Sequence, residues 1–260
     1  MADRRGVDFT GDMRDPSGEP VATVGAGAET IPGPESPTSV PAVDVNPAVA
    51  TDWLRWQLVD SAFPTGGFAH SSGLEAAWQH DEVRNREDFR SWLTSSLRQL
   101  TRGSIPWVNA AHAQPGQLEA LDRHCDAFLS NHVANRASRL QGRALQAAGE
   151  RIFQAGIPAP PLGHFAPLFG ALTAALRISH PDAVRIFVQL HLRGVIAAAV
   201  RLNIVGPMEG QILQFQFATI AEAVSCRGLP LTLADLAQTA PLLDLWQGAQ
   251  DRLYSRLFQS

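Results

Sequence analysis

From Pro47 onward, apolar residues return at intervals of three and four, the spacing that lines them along one side of an α-helix. "REDFRSWLTSSLRQLTRG" puts Phe89, Trp92, Leu93, Leu97 and Leu100 on one stripe and ends in Gly103, a residue suited to closing a helix. "GQLEALDRHCDAFLSNHV" repeats the pattern with Leu118, Leu121, Cys125, Phe128 and Leu129. In "AVATDWLRWQLVDSA" the periodic positions are Trp53, Leu54, Leu58 and Ala62. "RASRLQGRALQAAGERIF", "HFAPLFGALTAALRI", "PDAVRIFVQLHLRGVIAAAVRL", "GQILQFQFATIAEAVS" and "PLLDLWQGAQDRLYSRLF" complete the series. Strand-like alternation is nearly absent, with "ILQFQF" alone ambiguous, and prolines and glycines fall mainly between the periodic segments. The pattern predicts an all-α fold, a single helical domain of about eight to ten helices over residues 49–260.

Residues 1–48 break the pattern. They hold seven prolines and six glycines, no leucine or tryptophan, and Phe9 as their one aromatic. Such a stretch buries too little apolar surface to offset the entropy of ordering it, so a disordered arm is expected there.

Composition then narrows the functional classes. The net charge of -4 and pI near 6.0 argue against a nucleic-acid-binding surface, which carries a basic excess. All 21 basic residues are arginine, which excludes lysine Schiff-base chemistry and a lysine-bearing phosphate loop. Cys125 and Cys226 lie far apart without a CxxC spacing, and no signal peptide is recognisable, so reduced thiols in the cytoplasm are expected. No membrane span is expected either, since the most apolar run, "VIAAAVRLNIV", is interrupted by Arg201. The eight histidines form no tract, and His70 with His80, or His124 with His132, miss the i, i+4 spacing of a helical metal pair. No metal site and no cofactor is predicted.

"FPTGGFAHSSGLE", Phe63 to Glu75, packs a proline, three glycines and two serines into one stretch. The glycine interval is wrong for a phosphate loop, and "AHSSG" lacks the first glycine of a nucleophile elbow. A helical hydrolase using Ser71 or Ser72 with His70 is the alternative reading of these residues. As a connector, Pro64 ends the preceding helix, Gly66 and Gly67 permit positive φ, and Ser72 with Glu75 matches a capping box. Phe63 and Phe68 are expected to pin the loop to the core, and a rigid loop of this kind can also present a surface to a partner.

Two more segments carry weight. Arg136, Arg139 and Arg143 share a helix face, either as a solvated stripe paired with carboxylates or as a patch facing a partner. The tail "DRLYSRLFQS" holds the single tyrosine, Tyr254, and helical spacing would group Leu253, Leu257 and Phe258. Its aromatic, leucine and arginine content suits either docking on the chain's own core or an interface hot spot.

These motifs, taken in order, resemble the UreF family of urease accessory proteins. "LVDSAFPTGGFAHSSGLEAAW" is similar to the family's Pro-x-Gly-Gly-Phe turn followed by Ser-x-Gly-Leu-Glu, and "NRASRLQGRAL" to its central Arg/Ser/Gln-Gly helix. "HFAPLFGALTAAL", "AAAVRLNIVGP" and "LYSRLFQS" match three further family segments, so the resemblance spans about residues 51–260. Two stretches depart from many bacterial members: Ile204-Val205-Gly206-Pro207 replaces a Pro-Leu-Gly-Gln turn, and Gln250-Asp251 replaces a His-Glu pair. The resemblance implies an all-α, non-catalytic homodimer that binds UreD and the GTPase UreG, helps deliver nickel to apo-urease and modulates the GTPase. By motif match it assigns partner binding to Pro64, Gly66, Gly67, Phe68, Ser72 and Glu75 in the turn, Arg139 and Gln141 in the middle, and Tyr254, Arg256, Leu257 and Phe258 in the tail.

Overall fold

The computed structural model describes residues 47–260. The arm expected at residues 1–48 therefore lies outside the described residues, apart from Pro47 and Ala48, which open the first helix. Ten α-helices follow in order: α1 (Pro47–Val59), α2 (Leu74–Gln79), α3 (Arg86–Gly103), α4 (Ile105–Ala113), α5 (Leu118–Phe128), α6 (His132–Phe153), α7 (Phe165–Ala175), α8 (His180–Arg201), α9 (Pro207–Gly228) and α10 (Pro241–Ala249). No strand occurs among the described residues, and the all-α expectation holds.

The helix starts follow side-chain chemistry. Asn85 accepts from the backbone amides of Glu87 and Asp88, Asn131 from those of Val133 and Ala134, and Ser179 from that of Asp182. Each satisfies amides that the first turn leaves without intrahelical partners.

α8 lies at the centre, packed against α3, α4, α7 and α9, while α7 packs closely against α4 and α6. The α4–α7 approach depends on Gly170, where a β-carbon would lie 2.4 Å from the Val108 carbonyl oxygen. Phe165, Phe169 and Phe187 cluster where α7 meets α8, with ring centroids 5.3 to 5.9 Å apart. Among the described residues α8 is the one helix long and apolar enough to cross a membrane, and 56% of its apolar window is buried against these neighbours.

The predicted stripe of α3 is buried at every position: Phe89, Trp92, Leu93, Leu97 and Leu100. α1 departs from its prediction, because Leu58 is buried whereas Trp53 faces outward and meets Trp56 edge-on at 5.0 Å. The largest departure is the tail. α10 ends at Ala249, a short 3-10 turn covers Gln250–Arg252, and Leu253 is extended at ψ 134, so Leu253, Leu257 and Phe258 are not grouped by a helix. The backbone amides of Leu257 and Phe258 bond to a distant side chain instead.

A candidate functional site where turn and tail meet

The turn after α1 is built by successive local constraints. Phe63 is buried and stacks on Phe153 at 5.9 Å, while Pro64 is exposed. Gly66 takes φ +69 and initiates a 3-10 turn over Gly67–Ala69. Gly67 does not adopt positive φ, and a β-carbon there would make ordinary contacts with Thr65 Oγ1 at 3.7 Å and Gln141 Oε1 at 3.8 Å. Phe68 is not pinned to the core as expected; it is 74% exposed. Ser72 and Gly73 then take φ values of +55 and +84, and a β-carbon on Gly73 would lie 2.6 Å from the Gln247 amide nitrogen of α10.

The predicted capping box does not form. Gly73 is the residue before α2 and no side chain caps the helix; the nearest substitute is Ser71, whose Oγ accepts from the Glu75 amide at 3.4 Å. The Glu75 carboxylate is buried and turned toward the tail. One oxygen accepts from the Leu257 amide at 2.6 Å; the other accepts from the Phe258 amide at 3.0 Å and from Gln250 Nε2 at 2.6 Å. A single carboxylate thus satisfies three donors, two of them in buried bonds.

Four further bonds close the junction. The Gln259 amide donates to the Ala69 carbonyl at 2.8 Å. The Ser260 carbonyl accepts from the Ser71 amide and, at 3.0 Å, from Ser71 Oγ. Ser260 Oγ lies 2.6 Å from His70 Nδ1. Phe258 is 4% exposed beneath the Arg201 guanidinium, whose carbon sits 4.2 Å from the ring centroid. Tyr254 points fully into solvent and Leu257 is 52% exposed. The tail therefore docks on its own chain through Phe258 and Ser260 while leaving Tyr254 and Leu257 exposed, as Phe68 is in the turn.

Asp251 ties this tail to α6. It receives both terminal nitrogens of Arg136 at 2.7 and 3.0 Å, and Arg256 at 3.0 Å, and Arg136 holds its carboxyl below the usual range. Of the predicted arginine face, Arg136 is thus paired with a carboxylate. Arg139 is half-buried and, after the hydrogen bonds from Asn135 and His164, helps keep the Asp126 carboxyl low, and Arg143 packs its side chain against Gly163. Gln141 borders a cavity of about 450 Å³ between the turn and α8, lined also by His70, Cys125, Ser138, His191 and Ser260.

Two histidines and a thiol that line the cavity are shifted toward their neutral forms. Burial and the nearby Arg136 lower His70 to about 4, and burial alone lowers His191, bonded through Nε2 to Ser96 Oγ at 2.7 Å, to about 4. Burial, then Asp122 and Asp126, push the Cys125 thiol up. The hydrolase arrangement does not assemble: His70 Nδ1 engages Ser260, Ser71 Oγ engages the Ser260 carbonyl, and among the described residues no hydrogen bond joins His70 to Ser71 or Ser72. A serine nucleophile requires hydrogen-bond contact with its base. Among the described residues no three His, Cys, Asp or Glu side chains gather as a metal would require.

Sequence reasoning missed several residues that build the site. Ser71, Gln250, Asp251 and Ser260 complete the junction across separations of up to 190 residues, and no local pattern signals such pairings. Asp122, fully buried, accepts from the amides of Leu162, Gly163 and His164 at 2.8, 3.1 and 2.7 Å and so anchors the start of α7. An acid at a position facing the core, next to the buried Leu121, was the available signal.

The sequence is similar to known proteins over most of its length. The UreF family model matches residues 83–218. Urease accessory protein F of Arabidopsis thaliana is 37% identical over 221 residues, covering 80% of this chain and 92% of that protein. Its counterpart in Oryza sativa subsp. japonica is 36% identical over 219 residues, covering 79% and 84%. Urease accessory protein UreF of Mesorhizobium japonicum is 28% identical over 219 residues, covering 80% and 94%. On the extent of these matches, together with the motifs of the turn and tail, the chain belongs to the UreF family.

Proposed function

We propose that this protein acts in urease maturation as a non-catalytic adaptor in the cytoplasm, joining UreD and the GTPase UreG so that nickel reaches apo-urease. Nickel is cargo in this reading, and the chain itself holds no resident cofactor. The observation that carries the reading is the junction surface, where Phe68, Tyr254 and Leu257 stand exposed while Arg201 holds the Phe68 carbonyl and Glu75 holds the Leu257 amide. Exposed aromatic and apolar side chains on a rigid base suit a protein interface, since little order is lost on binding. The modulation of the GTPase belongs to the same reading, as a consequence of holding UreG on the assembled surface.

Self-association is part of the proposal. α9 is apolar on two faces: Leu213 and Phe217 are buried, whereas Met208 (75% exposed) and Phe215 (84%) face outward with Ile212. With Trp53 and Trp56 on α1, they leave more exposed apolar surface than isolated residues account for. A second copy covering such faces is the homodimer proposed here.

The direct test uses outward side chains, so that folding is spared. Phe68→Ser, Tyr254→Ser and Leu257→Ser, singly and together, are expected to reduce co-purification with UreD, the triple variant by more than about tenfold. In cells lacking the gene, residues 49–260 should restore urease activity, and the triple variant should not. Undiminished UreD capture and activation by the triple variant would overturn the assignment.

A further inference from the structure

Arg201 ends α8 and stands outside every motif to which a partner role was assigned. Its guanidinium makes two contacts at once. Nη1 donates to the Phe68 carbonyl oxygen of the turn, and the guanidinium plane lies over the Phe258 ring of the tail, 4.2 Å from its centroid. The neighbouring carbonyl, that of Ala69, accepts from the Gln259 amide at 2.8 Å, so turn, tail and helix end meet at consecutive residues. We propose that Arg201 is a positioning residue that sets the turn and the tail in a single mutual arrangement, fixing Phe68 relative to Leu257 and Tyr254 for a partner that must contact both. The inference rests on the adaptor reading above.

The geometry favours this role over that of a helix-end charge. An arginine in a last turn interacts favourably with the helix dipole wherever its side chain points. Here the two contacts engage segments nearly 60 and more than 130 positions away, |i−j| being 133 for the Phe68 bond. Arginine suits both contacts together, because its planar fork donates from the edge while its face covers an aromatic ring. Lysine supplies a charge and either contact, not both. The ring beneath is buried, whereas the side chain of Phe68, whose backbone is held, projects outward. Arg201 thus grips backbone and buried surface and leaves the exposed side chains free.

The test is amide hydrogen exchange on the isolated full chain, with Arg201→Gln and Arg201→Lys beside the wild type. Arg201→Gln should accelerate exchange at Phe258, Gln259 and Ser71 in the tail junction, and at Ala69 and His70 in the turn, by about tenfold. Core amides of α3 and α4 should change less than about twofold. Arg201→Lys should fall between, and Arg201→Gln combined with Phe258→Leu should be non-additive in tail exchange. UreD capture should weaken about tenfold in Arg201→Gln and less in Arg201→Lys. Uniform acceleration throughout the chain, acceleration confined to the end of α8, or no change would overturn the positioning role. The control is the Phe68, Tyr254 and Leu257 variants. Their loss of capture while Arg201→Gln binds normally also overturns it. Normal capture by all of them would sink the adaptor reading, and exchange in the isolated chain would still decide the role of Arg201.

Discussion

Gly73 has no room for a β-carbon, and it carries the strictest backbone requirement in the turn. Its φ of +84 is a conformation that side-chain-bearing residues avoid, and the Gln247 backbone stands 2.6 Å from the position an alanine would fill. Gly73→Ala should cost about 1–3 kcal/mol, or roughly 2–4 °C in melting temperature per kcal/mol. Gly67→Ala, by contrast, should leave the melting temperature within about 2 °C, because its contacts would be ordinary ones. The motif displays three glycines, and identity alone does not tell which one is pressed against another helix. Glu75 is similar: its position fits a local cap, while its partners are Gln250, Leu257 and Phe258. Glu75→Gln places an amide donor among three donors and should destabilise by about 1–3 kcal/mol. Selective loss of amide protection at Leu257 and Phe258 is the expected signature, and a tail as protected as in the wild type would contradict it.

Among the elements, α3 was legible because it lies half in and half out of the core, so apolar and polar positions alternate at helical spacing. α4 escaped notice for the opposite reason. Ile105, Pro106, Trp107, Val108, Asn109 and Ala111 are all buried, and a helix enclosed on nearly every side carries no polar contrast to read. In the tail, the i, i+4 spacing of Leu253 and Leu257 suggested a helix, yet the amides that a helix would use are taken by a carboxylate 182 and 183 residues away. Local periodicity cannot register such a competitor. The start of α7 offers a test at this scale. Asp122→Ala removes the acceptor of three amides, two of them in buried bonds, and should cost about 3 kcal/mol or more. Protection in the first turn of α7 should fall further than in α3, and an unchanged melting temperature would refute the anchor.

Across the whole molecule, neutral histidines make stability depend on pH. His70 and His191 are lowered from the ordinary 6.5 to about 4, and His180 is lowered by burial and by His112. Unfolded chains bind protons at these imidazoles below about 6.5 while the folded chain refuses them until lower pH, so stability must fall as pH drops through this window. Carboxylates held low, such as Asp251 and Asp126, act in the same direction at more acidic values. The urea midpoint at pH 5 should lie below that at pH 7.5, and His191→Gln should flatten the difference. An equal or higher midpoint at pH 5 would rule the account out. The bonds from His70 and Ser71 to Ser260 have a further consequence at this scale, because they span nearly the whole described chain. During synthesis the helices can begin to pack as they leave the ribosome, and Arg201 can already reach the Phe68 carbonyl, but Glu75, His70 and Ser71 have no tail partners until residues 250–260 emerge. A product truncated before Gln250 would hold most of the core and leave the Glu75 carboxylate and the Ser71 hydroxyl without their tail partners.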